Sequence, residues 1–482
     1  MSLATLAGLL VWGASHARRD VWIAAAAGSL IPLLVLGAVG QIAGAGAPFS
    51  VARSDVVVVP ERLDLVGFGT EQPRADVLIL HPYWHAKAPL EDRLFTWLLQ
   101  DSAGRAVARI ESRPVYGSRR ATDWPAGTLI DDRYQLSLPG GLSANTYDLV
   151  LQTTAIDQSN AGTIPPVVVG QVTLDANPGP APETHEPIAR FADRIELGQG
   201  TLSINDRPVN LSSGPWIVAH AGDQLHLDLP WRPLRGLYGS VKSYAHLVNG
   251  GASVAKSDQT PGTSYTPVSL WNLDRWSHDV HTLTVATELT GGVYEMIVGL
   301  YRIKALNDPN LEIWPMTTTD YPRRSETIVL FRVKVLGPPE INRARPLARF
   351  GGFADLIGVE VVPGAAPPRP GATVIVRLTY RAHGGAPADL TQFIHLVNAA
   401  GLIGQIDAPP LGNRNPTSSW QPGEIIHEEL TFTVQADAQS GPAQVILGFY
   451  DPANGERVVA ALPDGTQTQD RSVLLGALEI AP

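Results

Sequence analysis

The tetrapeptide His-Leu-Val-Asn occurs twice, at His246–Asn249 and His395–Asn398, and each copy belongs to a longer matching run. "KSYAHLVNGGASVAKSDQTPG" begins at Lys242 and "TQFIHLVNAAGLIGQIDAPPLG" at Thr391. Both contain small turn residues, a second apolar stretch, an acidic residue and a proline. A repeat of this length limits the fold more than any single motif does, because whatever unit the chain builds, it builds more than once. In the last third, "TVIVRLTYRA", "QFIHLVN", "GLIGQIDAPP", "SSWQPGEIIHEELTFTV", "PAQVILGFYDPANGERVV" and "SVLLGALEI" follow one another. The middle third repeats that order with "DQLHLDLPWRP", "SYAHLVNGG", "SVAKSDQTPG", "LDRWSHDVHTLTVAT", "GGVYEMIVGLYRI" and "TIVLFRVKVL". A more divergent first copy reads "DVLILHPYWHA", "LFTWLLQDSAGRAVARIES", "TDWPAGTLIDDRYQLSL", "ANTYDLVLQTT" and "PVVVGQVTL".

Landmarks stay in step. Trp124, Gly127 and Ile130 match Trp420, Gly423 and Ile426, with Trp276 placed at the tryptophan position of the middle copy. Trp97 is placed in the slot of His246 and His395. A histidine that recurs in one strand slot of two copies marks a position in the fold rather than half of an active site. The apolar and polar residues alternate with the period of half-buried strands, and turn signals separate them at short intervals. These features predict an all-β chain of three tandem antiparallel β-sandwiches, immunoglobulin-like first and jelly-roll second. The units are placed at 49–176, 188–337 and 346–482. The Pro-rich stretches "DANPGPAPETHEP" and "GPPEINRARP" separate them, and "DPANGE" (Asp451–Glu456) reads as a hairpin turn that uses Gly455.

The N-terminus differs. Val21 to Ala52 contains no charged residue, and an apolar run of roughly 20 residues suffices to cross a bilayer. We expect a transmembrane helix at 21–48 in contact with membrane lipid. Residues 1–20 form a short apolar segment ending in the basic turn Arg18-Arg19, which the positive-inside bias places in the cytoplasm. The sandwiches are then extracytoplasmic. A cleaved signal peptide is the alternative, and the run is long for one. The chain has 482 residues, no cysteine and a net charge of −10. That excludes disulfides and thiolate metal sites and argues against a nucleic-acid partner.

The last unit resembles the β-sandwich repeats that follow the final membrane helices of bacterial multi-pass glycosyltransferases of the dolichyl-phosphate-mannose mannosyltransferase type. The resemblance rests on "RFGGFADLIGVEV", "IHLVNAAGLIGQIDAPPLGNRNPTSSWQPGEII" and "ILGFYDPANGERV". It covers the third unit well, the second moderately and the first weakly. It implies that the N-terminal apolar segments correspond to the last spans of such an enzyme, and that this chain is its non-catalytic tail, made separately or as part of something longer. The family's catalytic acids lie in an early loop that has no counterpart here, so no functional residue carries over.

No motif for zinc proteolysis, phosphate binding, a nucleophile elbow, calcium or a dinucleotide is present. His81 and His85, and His278 and His281, read as structural or solvated. Asp131-Asp132 and Glu428-Glu429 are adjacent on strands, so each pair splits between two faces. "NLS" at Asn210 is a formal glycosylation sequon. We expect no catalytic residue, cofactor or metal. The uneven feature is aromatic: Tyr238, Tyr265, Trp271, Trp314 and Tyr321 fall in loop-like stretches of the second unit. Core or joint packing, a protein interface and glycan contact are their possible roles, in that order. The expected function is a non-catalytic structural or interaction subunit of a cell-envelope assembly, with a membrane protein or envelope glycan as partner. Glycan binding, or an accessory part in sugar transfer, is the alternative.

Overall fold

The computed structural model describes residues 51–115, 117–156, 163–212, 216–238, 240–262, 268, 271–303, 311–324, 326–362 and 367–482. The transmembrane segment expected at 21–48 lies outside them. Among the described residues no helix is long and apolar enough to cross a membrane. The regular structure is β-strand with a few short 3-10 turns. The strands form six sheets, and these pack in pairs around three apolar clusters, spanning Val58–Leu174, Ala189–Val335 and Ala348–Ile480.

In the last pair, one sheet has the order Ile425–Thr433, Thr373–Ala382, Ala354–Val362, Ala348–Phe350, Ala460–Ala461. The facing sheet runs Gly401–Ala408, Thr391–Asn398, Gly441–Tyr450, Val473–Ile480. The middle pair repeats it. Ser277–Thr284, Gln224–Pro233, Ile195–Gly198, Pro187–Phe191 and Met316–Thr317 face Ala252–Gln259, Ser240–Asn249, Gly292–Ile303 and Thr327–Leu336. In the first pair Thr128–Asp131, Val77–Ala86, Leu63–Arg74 and Val51–Val59 face Ala106–Ser112, Arg93–Gln100, Asn145–Ala155 and Thr163–Leu174. One connectivity thus serves three times. It is the Greek-key order of an immunoglobulin-like sandwich rather than a jelly roll. A further mark of that fold is a tyrosine early in the strand after the sheet corner, bonded to backbone upstream. Tyr147 Oη donates to Ser143 O at 2.7 Å and Tyr294 Oη to Thr290 O at 3.0 Å. "DPANGE" is the turn expected, with Gly455 at φ 74°.

Two landmarks shift. Trp97 is fully buried and faces the core, while His246 and His395 face outward. The kinks at Leu99, Leu247 and Leu396 align the strands and put Leu98 in the histidine slot. A slip of one residue inverts every side chain of a strand. Likewise Trp271, not Trp276, is the counterpart of Trp420, since His278 and His427 occupy matching places seven residues on.

In each sandwich a loop leaves the edge strand of one sheet, crosses to the other and enters its outer long strand. The three crossing loops are 113–127, 260–276 and 409–424. A buried carboxylate within each receiving strand, or just past it in the first sandwich, holds the loop: Asp132, Asp279 and Glu428, exposed by 0%, 1% and 6%. Each accepts a backbone N–H, from Val115 at 2.6 Å, Gly262 at 3.2 Å and Leu411 at 2.5 Å. Those three residues all have left-handed backbone, with φ of 53°, 89° and 51°. The conformation costs a non-glycine residue about 1–2 kcal/mol, and a hydrogen bond to a charged group contributes about 1.5–3 kcal/mol. The carboxylate therefore offsets the strain. Adjacent Asp131 and Glu429 are exposed, as alternation requires.

Burial pushes Asp132 up from 3.8 to about 6, against the opposing effect of its bonds from Val115 N, Arg133 N and Trp84 Nε1. Between those values the folded chain binds more protons than the unfolded one. The stability of the first sandwich should therefore fall as pH rises from about 4 to about 6, by up to about 3 kcal/mol, and be flat above. Hydrogen exchange of the Thr128–Asp131 amides, corrected for intrinsic rate, measures this, and Asp132→Asn should reduce the slope.

Candidate interaction surfaces at the joints

The crossing loops do more than close each sandwich. At the first joint the middle loop lies along the edge strand Ala106–Ser112. Leu273 N donates to Arg109 O at 2.8 Å, and Arg275 Nη2 to Val107 O at 3.1 Å, so alternate edge carbonyls are satisfied. Asn272 exchanges hydrogen bonds with the backbone N and O of Ser137. Glu111, 6% exposed, accepts from Gly236 N at 2.9 Å and pairs with Arg235 at 3.4 Å. A Cβ on Gly236 would stand 2.3 Å from Glu111 O, so only glycine permits this approach. Unpaired edges invite foreign strands, and here the chain covers its own.

At the second joint the last crossing loop contacts the middle sandwich. Arg414 O accepts from Val293 N at 2.8 Å, and Ser418 O accepts from Trp216 Nε1 at 3.3 Å. Lys334 is completely buried. Its Nζ donates to Asn415 Oδ1 at 2.5 Å and to Glu424 Oε1 at 2.6 Å. Burial draws the Lys334 ammonium below the usual lysine range, opposed by the Glu424 charge.

The aromatics singled out in the sequence distribute over these features. Tyr238 sits at the first joint with the guanidiniums of Arg113, Arg194 and Arg302 at 4.9, 5.1 and 5.0 Å from its ring centre. Trp271 is 6% exposed at the root of the loop that docks on the first sandwich. Trp314 is 4% exposed and belongs to the middle core, against which Tyr321 packs half-buried. Tyr265 lies outside the described residues. The described members are thus parts of joint and core, and no two are brought together on an open face.

The histidines also resolve. His246 Nε2 meets Asp258 Oδ2 at 2.9 Å on the neighbouring strand, and His395 Nε2 meets Asp407 Oδ1 at 3.4 Å. The repeated tetrapeptide therefore encodes a cross-strand pair on the outer sheet face. Ser243, Asp279 and His281 cluster in the middle sandwich. Ser243 Oγ donates to Asp279 at 2.6 Å, and His281 Nε2 lies 3.1 Å from both. In a nucleophile triad the acid holds the imidazole nitrogen remote from the serine. Here that nitrogen faces Ser257 Oγ at 3.0 Å, and all three groups are enclosed. The cluster ties strands together. His81 is buried, 3.9 Å from Glu71, and burial holds its imidazole below the ordinary range.

No family model and no curated protein matches the chain. Among solved structures, a marsupial T cell receptor is similar at 12% identity and a TM-score of 0.25, over 87% of this chain and 99% of that one. A Salmonella alpha-2-macroglobulin mutant is similar at 11% identity and a TM-score of 0.15, over 89% of this chain and 33% of that one. The immunoglobulin-like assignment rests on strand order.

Lys334→Ala leaves Glu424 buried without its cation, which should cost about 3–5 kcal/mol. Calorimetry of the whole chain should show the middle and last sandwiches uncoupled, with a lower transition for at least one. Lys334→Met with Glu424→Leu removes both charges and should recover most of the loss.

Proposed function

We propose that the chain is an extracytoplasmic array of three β-sandwich domains, anchored at 21–48 and serving as a structural and interaction subunit of a cell-envelope membrane assembly. The observation that carries this reading is the use of the crossing loops. In the middle and last sandwiches the loop lies against the sandwich before it, and the buried groups Asn272, Lys334 and Asn415 hold the contact. Joints of this kind suit a stiff spacer, whereas flexible domains on strings have few contacts across their linkers.

The first sandwich has the same loop, 113–127, held by the same carboxylate device. Among the described residues no sandwich precedes it. Ser118, Arg120, Thr122 and Asp123 are exposed along it. We assign this loop the same task as its two counterparts, with a membrane-protein partner in place of a preceding sandwich. The glycan alternative calls for open aromatic faces, and Trp271 and Trp314 are buried in the chain's own core.

A photo-crosslinking residue at Thr122 or Asp123, introduced in cells that make the protein, tests this. The expected result is a discrete adduct with another membrane chain, and co-purification of that chain in fixed ratio from mild detergent. The same probe at Asp464, on an exposed turn of the last sandwich, should give no such adduct. A chain that elutes alone and crosslinks to nothing from loop 113–127 overturns the reading.

A further inference from the structure

The linker between the first and middle sandwiches carries Glu183 and His185, two residues before the strand Pro187–Phe191. Across from them stands His278, near the start of the strand Ser277–Thr284. One donor atom from each lies within 4.8 Å of the other two. Glu183 Oε2 is 2.9 Å from His278 Nε2 and 3.3 Å from His185 Nε2. A tetrahedral ion with bonds of about 2.0–2.1 Å holds its ligand atoms roughly 3.3 Å apart, so two of the three edges are already close to length.

Two further features point the same way. His278 Nδ1 lies 2.9 and 3.0 Å from the two oxygens of Asp228. A carboxylate on the far nitrogen fixes the tautomer, orients the ring and leaves Nε2 for the ion, which is the usual outer-shell partner of a metal-bound histidine. On the other side, His185 packs edge-on to Trp276 at 5.2 Å. A Cβ on Gly198 would come within 2.9 Å of His185 Cβ and 3.2 Å of the Trp276 ring. The missing side chain lets His185 reach the cluster.

The chain supplies its own comparison. In the last sandwich His427 stands where His278 stands and bonds Glu340 of the preceding linker at 2.7 Å. There Arg377 replaces Asp228 and pairs with Glu360 and Glu429, and the linker contains no histidine. One joint thus keeps a simple histidine–glutamate strap, while the other adds an imidazole and an orienting carboxylate.

We propose that Glu183, His185 and His278 form a zinc site, with Asp228 as positioning residue, that pins the linker onto the middle sandwich. Two imidazoles and one carboxylate suit zinc and its neighbours in the first transition row, not calcium or magnesium, which take oxygen ligands. With the Glu183 side chain 65% and the His278 side chain 41% exposed, solvent completes the coordination. The site is independent of the interaction role proposed above.

The test uses the whole chain with its purification tag removed and metals stripped by chelator, titrated with zinc chloride by calorimetry. One saturable site of about micromolar affinity or tighter is expected. His185→Asn and His278→Gln should each weaken it at least about tenfold, and Asp228→Asn by about 10–100-fold. Gly198→Ala, which supplies no ligand but crowds His185, should also weaken it, with far-ultraviolet dichroism unchanged. His427→Gln should bind like the parent. Zinc should slow hydrogen exchange in the linker around Glu183–His185 in the parent and not in His278→Gln. Absence of a saturable site overturns the proposal, as does a site that survives the paired histidine substitutions. Binding without linker protection overturns the pinning.

Discussion

Each sandwich relies on one buried carboxylate that holds its crossing loop. An immunoglobulin-like sandwich needs a loop that leaves one sheet for the other, and such loops carry backbone groups that strands do not satisfy. Asp132, Asp279 and Glu428 meet that need from inside, each accepting the N–H of a left-handed loop residue. The rest of the carboxylate's bonding is improvised. Trp84 supplies an indole N–H in the first sandwich, and Ser243 and Gln259 supply donors in the second. The acid and the loop N–H recur, and the other donors change. Within one chain, that distinguishes a requirement of the fold from its local packing solution.

Because the loop is fixed from below, its upper side can serve as a docking surface. The first joint uses its end nearer the receiving strand, Asn272 to Arg275, against a sheet edge. The second uses Arg414, Asn415 and Ser418 against the middle sandwich, with Glu424 reaching Lys334. The same scaffold therefore yields two unlike interfaces, one mainly backbone-directed and one centred on a buried ion pair. Neither contact closes a sandwich core, and each adds order between sandwiches that already have their own.

The β class, the repeat and the strand alternation were legible in the sequence because they depend on residues near one another in the chain. The adjacent acids Asp131-Asp132 and Glu428-Glu429 could be assigned to opposite faces by period alone. Exact register could not. In "FTWLLQ" Thr96 and Gln100 mark the outward face by alternation, but the match between divergent copies placed Trp97 rather than Leu98 in the histidine slot, and two tryptophans five apart in "WNLDRW" competed for one landmark. The joints were out of reach for a different reason. Glu111 with Gly236 and Lys334 with Asn415 are pairs with no shared period, and their meeting depends on how whole sandwiches stack. Loop aromatics invited a ligand reading because loops are usually exposed, whereas Trp271 and Trp314 are buried.

The enclosed Lys334 also bears on mechanics. Bending the array at the second joint would pull a buried ammonium and carboxylate apart, leaving charges uncompensated away from water, which is costly. Sliding or splaying is therefore stiff until the pair breaks, and abrupt afterwards. Force applied along the array would therefore meet a joint with little give, held by the Lys334–Glu424 pair.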